Sequence, residues 1–492
     1  MKLTQLLNGL EKKNQISVDT EQLKIKGLAD SSADVAANYI FVAISGFRSD
    51  GHDFINDAID KGACLIIGEQ GLSGLPVPYI QVENSRKALG ILAKNFYGDP
   101  AEKKWMIGVT GTNGKTTTSY LLKHILEDNG HSCAVIGTIQ NIINGEARKS
   151  SNTTPSSLEM HRMLAESRDD TAIVEVSSHG LSQFRVEGVQ FDLCLFTNLH
   201  PEHLDYHRTM DNYFQAKKSL FDHLKVNGCA IVNTDNEWGS KLANLLEEQG
   251  KTVYATGKSA QSSIRIHGFN TDASTITLEE NGKTDLICSP ILGVHNMYNT
   301  ISAYTAAILS GISKEDVRES LLRFDGIDGR FEINTLPEGQ KIIIDYAHTP
   351  DAIDNCLNTA KDCGAKRIIH VFGFRGDRDI SKREEMLRLS ASLSDQYVLT
   401  LDDLNSVSYN EMVDTLRQLQ SDQGNQKGTV LPDRTLAIKQ AIEQSEPGDW
   451  VIITGKGHEA YQQSYSMNTT SDKETVCHIT RTLDNIRLDA VY

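Results

Sequence analysis

The apolar run Trp105 to Thr110 leads straight into Gly111-Thr112-Asn113-Gly114-Lys115-Thr116-Thr117-Thr118. A loop of this composition works only between a strand and a helix, because its backbone N–H groups must converge on phosphate oxygens at the helix N-terminus. The glycines let the backbone come close. Lys115 then reaches the β- and γ-phosphates, and Thr116 offers its hydroxyl to Mg²⁺. The strict pattern has glycine where this chain has Val109, so the loop is a variant form. An ordinary glycine-rich turn is the competing reading.

The rest of the chain repeats that strand–helix rhythm. Short apolar runs lie at Cys64–Ile67, Thr171–Val176, Phe191–Leu199, Cys229–Asn233, Lys341–Tyr346, Arg367–Phe372, Tyr397–Leu401 and Trp450–Thr454. Between many of them fall helical periodicities such as Leu121, Leu122, Ile125 and Leu126. Alternation of this kind predicts an α/β chain with mostly parallel sheets. Turn-rich breaks at Tyr97-Gly98-Asp99-Pro100 and at residues 324–330 divide the 492 residues into three expected domains, 1–101, 102–330 and 331–492.

In a parallel sheet, ligand-binding groups sit just past the strand C-termini. Glu175 ends one strand and suits a second Mg²⁺, a hard cation that takes oxygen ligands. Another strand ends in Asn198-Leu199-His200-Pro201-Glu202-His203-Leu204-Asp205-Tyr206-His207, five histidine or acidic groups within eight residues. A solvated polar loop is the plainer reading of that stretch. Lys217 reads on sequence alone as a solvated helix charge. Asn296, in His295-Asn296-Met297-Tyr298-Asn299, meets an adenine or simply caps its helix. Three further strand ends, at Asp345 to His348, Gly376 to Asp379 and Gly455 to Glu459, outline a binding crevice.

The net charge of 49 − 65 = −16 argues against nucleic acid as a partner. No apolar run approaches the ~18–20 residues of a membrane span. The N-terminal residues carry no signal-peptide core, and the eight cysteines form no CxxC pair. Reduced thiols of this kind predict a cytoplasmic protein.

Taken in order, TGTNGKTTT, EVSSHGLSQFRV, TNLHPEHLDYH, the Lys217 segment, HNMYN, DYAHTPDA, GDRD and GKGHE resemble the Mur ligase family. The likeness covers nearly the whole chain, including Phe41 to Ile44 and Gly46 to His52. It is strongest to the branch that adds the third amino acid to UDP-N-acetylmuramoyl-L-alanyl-D-glutamate in peptidoglycan synthesis.

The resemblance implies an N-terminal domain for the UDP-sugar, a central P-loop ATPase and a C-terminal Rossmann-like domain for the incoming amino acid. It implies ATP and Mg²⁺, an acyl phosphate on the D-glutamate carboxylate, and a monomer with the UDP-muramoyl-dipeptide and a free amino acid as its partners. ATP would meet Gly111, Thr112, Asn113, Gly114, Lys115, Thr116, Thr117, Asn296, Arg330, Asp345 and His348. Thr116, Glu175, His203 and a carbamylated Lys217 would serve the metal, with Lys115, Lys217 and His203 in the catalytic set. Ser31, Thr153, Thr154, Ser177, Gln183 and Arg185 would hold the UDP-substrate. The incoming amino acid would meet Arg378, Asp402, Asp403, Asn405, Gly455 and Glu459, with Arg378 on its α-carboxylate.

Three positions depart from the family's pattern. An arginine expected near the uridine is Ser32, and a glycine expected before Gly376 is Arg375. The specificity loop reads Asp402-Asp403-Leu404-Asn405, where enzymes that take meso-diaminopimelate carry Asp-Asn-Pro-Arg. Without that arginine a second substrate carboxylate would face Asp402 and Asp403 unpartnered. The loop therefore leans slightly towards L-lysine or L-ornithine, while the GDRD and GKGHE segments resemble the diaminopimelate group, so meso-diaminopimelate stays open. A Mur-like ligase of secondary metabolism, joining a different amine or carboxylate, is the alternative.

Overall fold

The computed structural model describes residues 1–15, 18–46 and 49–490. Phe47 and Arg48, inside the Gly46 to His52 segment, lie outside the described residues. Three sheets follow one another along the chain. The first pairs Gly27–Ala29, Tyr39–Val42, Ala63–Gly68 and Tyr79–Gln81 in sequence order, all parallel.

The second sheet has eleven strands. Its parallel heart runs Ile264–Asn270, Thr252–Gly257, Leu224–Asn233, Phe191–Phe196, Trp105–Thr110, Thr171–Glu175 and Cys133–Ile136. Antiparallel strands extend both edges, Thr275–Glu280 and Lys283–Cys288 on one side, Gln140–Ile143 and Glu146–Lys149 on the other. Alternate residues feed opposite faces. Met106, Val174 and Cys194 enter one core, while Ile107, Val109, Ile173 and Leu195 enter the other. Burial on both faces is why these strands read as unbroken apolar runs. The helix Lys115–Asp128 packs Leu121, Leu122, Ile125 and Leu126 into the second of those cores, on the face its periodicity predicted.

From Trp105–Thr110 the chain crosses to Cys133–Ile136, leaving a place that Thr171–Glu175 fills, then returns on the other side as Phe191–Phe196. Such a reversal opens a crevice at the carboxyl ends of the strands. The loop between Thr110 and Lys115 lies there.

The third sheet orders Glu332–Thr335, Lys341–Asp345, Trp450–Thr454, Ile368–Phe374, Gln396–Leu401 and Gly428–Val430, the first antiparallel and the rest parallel. One buried ion pair braces its strand ends. Arg434 and Asp472 are both 0% exposed and share two hydrogen bonds of 2.7 Å. Arg434 also donates to the Thr454 carbonyl at 2.9 Å, the residue before Gly455. Removing one partner strands the other charge in the interior. Asp472→Ala is therefore expected to cost about 3–5 kcal/mol of stability, read by urea unfolding. A loss under about 1 kcal/mol, the range of an exposed pair, would contradict this bracing role.

Candidate active site

The loop after Thr110 is fastened from the neighbouring strand end. Thr197 Oγ1 donates to the Asn113 carbonyl at 2.6 Å, and the Asn113 N–H donates to Asn198 Oδ1 at 2.9 Å. Two glycines are required there. A Cβ on Gly111 (φ 152°) would sit 1.8 Å from Thr197 Oγ1, and one on Gly114 (φ 86°) 2.1 Å from Asn299 Oδ1. Lys115 folds back onto the loop, donating to the Gly111 and Thr112 carbonyls at 2.9 Å each. Burial lowers its pKa, against the pull of Glu202 and Glu175.

Glu175 is fully buried and collects hydroxyl donors. Thr116 Oγ1 donates to it at 2.9 Å, Thr138 Oγ1 at 2.7 Å and the Thr138 N–H at 3.2 Å. A loop hydroxyl beside a carboxylate is an oxygen pair that fits Mg²⁺. Among the described residues no three His, Cys, Asp or Glu side chains are set to cage a metal. Mg²⁺ does not call for such a cage, because it keeps waters and shares phosphate oxygens.

Lys217 is 1% exposed, not a solvated helix charge. Its Nζ donates to the Gly111 carbonyl at 2.7 Å and lies 4.7 Å from the Tyr213 ring centroid. Burial, with Lys115 nearby, holds its pKa well below the usual lysine range, against Glu202. His203 packs edge-on to His179 at 4.6 Å and to Tyr213 at 6.2 Å. Burial is the main cause that pushes its pKa down to about 4, which leaves a neutral imidazole near pH 7. Between these groups sits Glu202. Burial alone would raise its pKa, but the His348 hydrogen bond and the charges of His203, His348 and Lys382 hold it far below the carboxylate range.

Thr153 meets Thr138 at 3.1 Å beside Glu175. Thr154, Ser177, Gln183 and Arg185 come together just beyond. Arg185 donates to the Thr154 carbonyl at 2.7 Å and to Gln183 Oε1 at 3.1 Å, and the Ser177 N–H donates to Thr154 Oγ1 at 3.0 Å. Burial lowers the Arg185 pKa, and Arg86 of the first unit lowers it further. Two guanidiniums that repel each other suit an anion between them. Ser31 follows the strand Gly27–Ala29 by two residues. It is exposed, and its Oγ accepts from the Ala33 N–H at 3.3 Å, capping a short turn.

A pocket of about 290 Å³ is lined by Asn113, Gly114, Thr117, Asn296, Arg330, Asp345 and His348. Asn296 donates to the Leu292 carbonyl at 2.8 Å, and Asp345 accepts from the Phe331 and Ala347 N–H groups at 2.6 and 2.7 Å. Arg330 donates to Thr116 Oγ1 at 3.2 Å and stacks 4.5 Å from the Tyr346 ring centroid.

A larger cavity of about 390 Å³ joins this region to the third sheet. Its walls include Lys115, Thr116, Thr153, His203, Arg330, Arg375, Arg378 and Asp402. Asp403, Asn405, Gly455 and Glu459 lie behind that wall. Asp403 pairs with the buried Lys456 at 2.6 Å, and Glu459 with Arg375 at 2.5 Å. Asn405, at φ 51°, donates to the Gly376 carbonyl at 2.6 Å. The three acids of this end thus already have two cations among them.

Sequence reasoning passed over Thr138, Glu202 and Arg86. Thr138 follows the short strand Cys133–Ile136, and that strand in the sequence would have drawn attention to it. Glu202 stood in a quoted segment but received no role, and nothing in the sequence singles out Arg86.

Comparison with known proteins adds a separate line. Models for the Mur ligase family catalytic domain, the Mur ligase middle domain and the Mur ligase glutamate ligase domain match residues 24–97, 109–307 and 329–457. A UDP-N-acetylmuramoyl-L-alanyl-D-glutamate–2,6-diaminopimelate ligase of Clostridium tetani is 36% identical over 476 residues, covering 94% of this chain and 95% of that protein. The Aquifex aeolicus protein of the same name is 37% identical over 445 residues, covering 89% and 90%. A solved structure of a ligase of that name superposes with a TM-score of 0.71 at 26% identity, covering 99% of both chains. The MurF ligase of Thermotoga maritima, in complex with ADP, shares the fold with a TM-score of 0.61 at 18% identity, over 87% of this chain and 93% of that one.

Proposed function

The chain belongs to the Mur ligase family of ATP- and Mg²⁺-dependent ligases, and on that premise we propose that it adds a diamino acid to the D-glutamate of UDP-N-acetylmuramoyl-L-alanyl-D-glutamate. One observation carries the reading. Lys115 and Thr116 of the phosphate loop share a single cavity with Arg375, Arg378 and Asp402 of the third sheet. A phosphorylated carboxylate formed at one end is thereby within reach of an amine held at the other.

In this reading, residues 1–101 take the UDP-sugar, 102–330 the ATP and 331–492 the amino acid. Arg185, Gln183, Ser177, Thr154 and Thr153 hold the muramoyl-dipeptide, with Arg86 adding charge for its diphosphate. The glutamate carboxylate attacks the γ-phosphorus, the bond to the β-phosphate oxygen breaks, and ADP leaves an acyl phosphate. The amine then adds to the acyl carbon and loses a proton, and inorganic phosphate departs with the former carboxylate oxygen. Lys115 offsets the repulsion between the carboxylate and the triphosphate, and Mg²⁺ would supply further positive charge there. Arg378 anchors the α-carboxylate of the amine substrate. Thr116, Glu175, His203 and a carbamylated Lys217 would hold the metal.

The test is ADP release by the full chain. Turnover should require the UDP-muramoyl-dipeptide, Mg²⁺ and a diamino acid together, and chelation should abolish it. ADP release that ignores the UDP-dipeptide would overturn the assignment. Ser32 and Asn405, in place of the family's arginines, favour a second reading, a ligase for a different amine or carboxylate in secondary metabolism. Turnover only with amines outside the diamino acids would decide for it.

A further inference from the structure

We infer that Arg375 selects the far end of the incoming amino acid, favouring a side chain that ends in a carboxylate beside its amine. This rests on the proposed function and deepens it.

Two cations stand among the acids at this end of the cavity. Lys456 is 1% exposed and committed to Asp403 at 2.6 Å. The loop position Asn405 is neutral and spends its amide on the Gly376 carbonyl. Of the two cations only Arg375 lines the cavity. It leaves the carboxyl end of the strand Ile368–Phe374 with its side chain 15% exposed. Its Nη2 donates to the Gly455 carbonyl at 3.0 Å and to Glu459 Oε2 at 2.5 Å. The guanidinium lies 5.3 Å from the Tyr346 ring centroid, and the Tyr346 hydroxyl donates to the other oxygen of Glu459 at 3.1 Å. One donor is left over. Arg375 Nε is buried without a hydrogen-bond partner, 3.6 Å from Asp402.

A substrate that brings only an ammonium draws Glu459 away from Arg375 and leaves the guanidinium with Asp402 at 3.6 Å, too far for a hydrogen bond. A substrate that brings both charges exchanges partners instead. Its ammonium takes Glu459, and its carboxylate takes the guanidinium in the forked geometry that arginine prefers. Arg375 keeps a hydrogen-bonded carboxylate only in the second case. The acidic loop read alone pointed to L-lysine; the arginine lying across it reverses that preference.

Three amines separate the contributions: meso-2,6-diaminopimelate, L-lysine (the same chain without the second carboxylate) and L-2-aminopimelate (without the second amine). With ATP and the UDP-muramoyl-dipeptide, the unaltered protein should prefer diaminopimelate to lysine by about 10- to 100-fold in kcat/KM, the range of one charge-assisted hydrogen bond. Arg375→Gln should erase that preference through a rise in KM for diaminopimelate larger than any change for lysine, and be partly restored by Arg375→Lys. A preference for lysine in the unaltered protein, which needs no variant to fold, overturns the inference. So does an equal loss for all three amines in Arg375→Gln. Failure of the unaltered protein to release ADP with any diamino acid is a different result, which removes the proposed function and this inference with it.

Discussion

Lys115→Ala is expected to lower kcat by about 100- to 1000-fold, the scale of removing one preorganised contact to transition-state charge. Lys115 sits at the start of the helix Lys115–Asp128 and bonds back to the Gly111 and Thr112 carbonyls, so it is already placed where phosphate oxygens would gather. The apolar face of that helix is untouched by the change, so the fold should persist with an unaltered melting profile. Arginine should not rescue the variant, because a planar fork cannot replace a compact ammonium in so tight a loop. Near-normal turnover in Lys115→Ala would remove the phosphate-loop assignment.

Lys217→Ala should be as severe for a different reason. Burial, with Lys115 nearby, holds Lys217 below its usual pKa and so favours the neutral amine. That amine can add carbon dioxide and release a proton, becoming a carbamate that carries negative charge where Mg²⁺ needs it. Loss of such a metal-supporting group removes several kcal/mol of transition-state stabilisation, about three decades in rate. Acetate or formate should restore part of the activity by standing in for the missing anion. Activity should also fall when bicarbonate is stripped from the buffer and return when it is added. An intact mass that matches the unmodified amine in fully active protein would remove this role.

The strands that carry the site were legible because both of their faces are buried. Trp105–Thr110 and Trp450–Thr454 run as the sequence suggested. The three edge strands from Ile264 to Cys288 went unread. Their burial alternates, and Thr275, Lys283 and Asp285 interrupt any apolar run. Leu224–Asn233 begins five residues before the expected Cys229, because Lys225 and a fully exposed Val226 hide its start. Among site residues, those ending long strands were visible as polar groups after apolar ones. Lys217 was not. The helix Met210–Lys218 closes on two lysines, and only packing decides which one is driven inside. Arg375 carried a signal only as a departure from pattern, since its contacts with Glu459, Gly455 and Tyr346 join residues 29 to 84 positions apart.

Tyr346 holds two guanidiniums, with Arg330 at 4.5 Å and Arg375 at 5.3 Å from the same ring. Arg330 in turn touches Thr116, and Arg375 touches Glu459. Anyone retargeting this enzyme by grafting a foreign specificity loop would therefore be editing only half of a shared part. A new residue at 375 changes the electrostatics of the ring on which the nucleotide-side arginine rests, so altered amine choice and altered ATP affinity should be inherited together. Directed evolution towards a new amine would be expected to collect its compensating changes at positions 330 and 346.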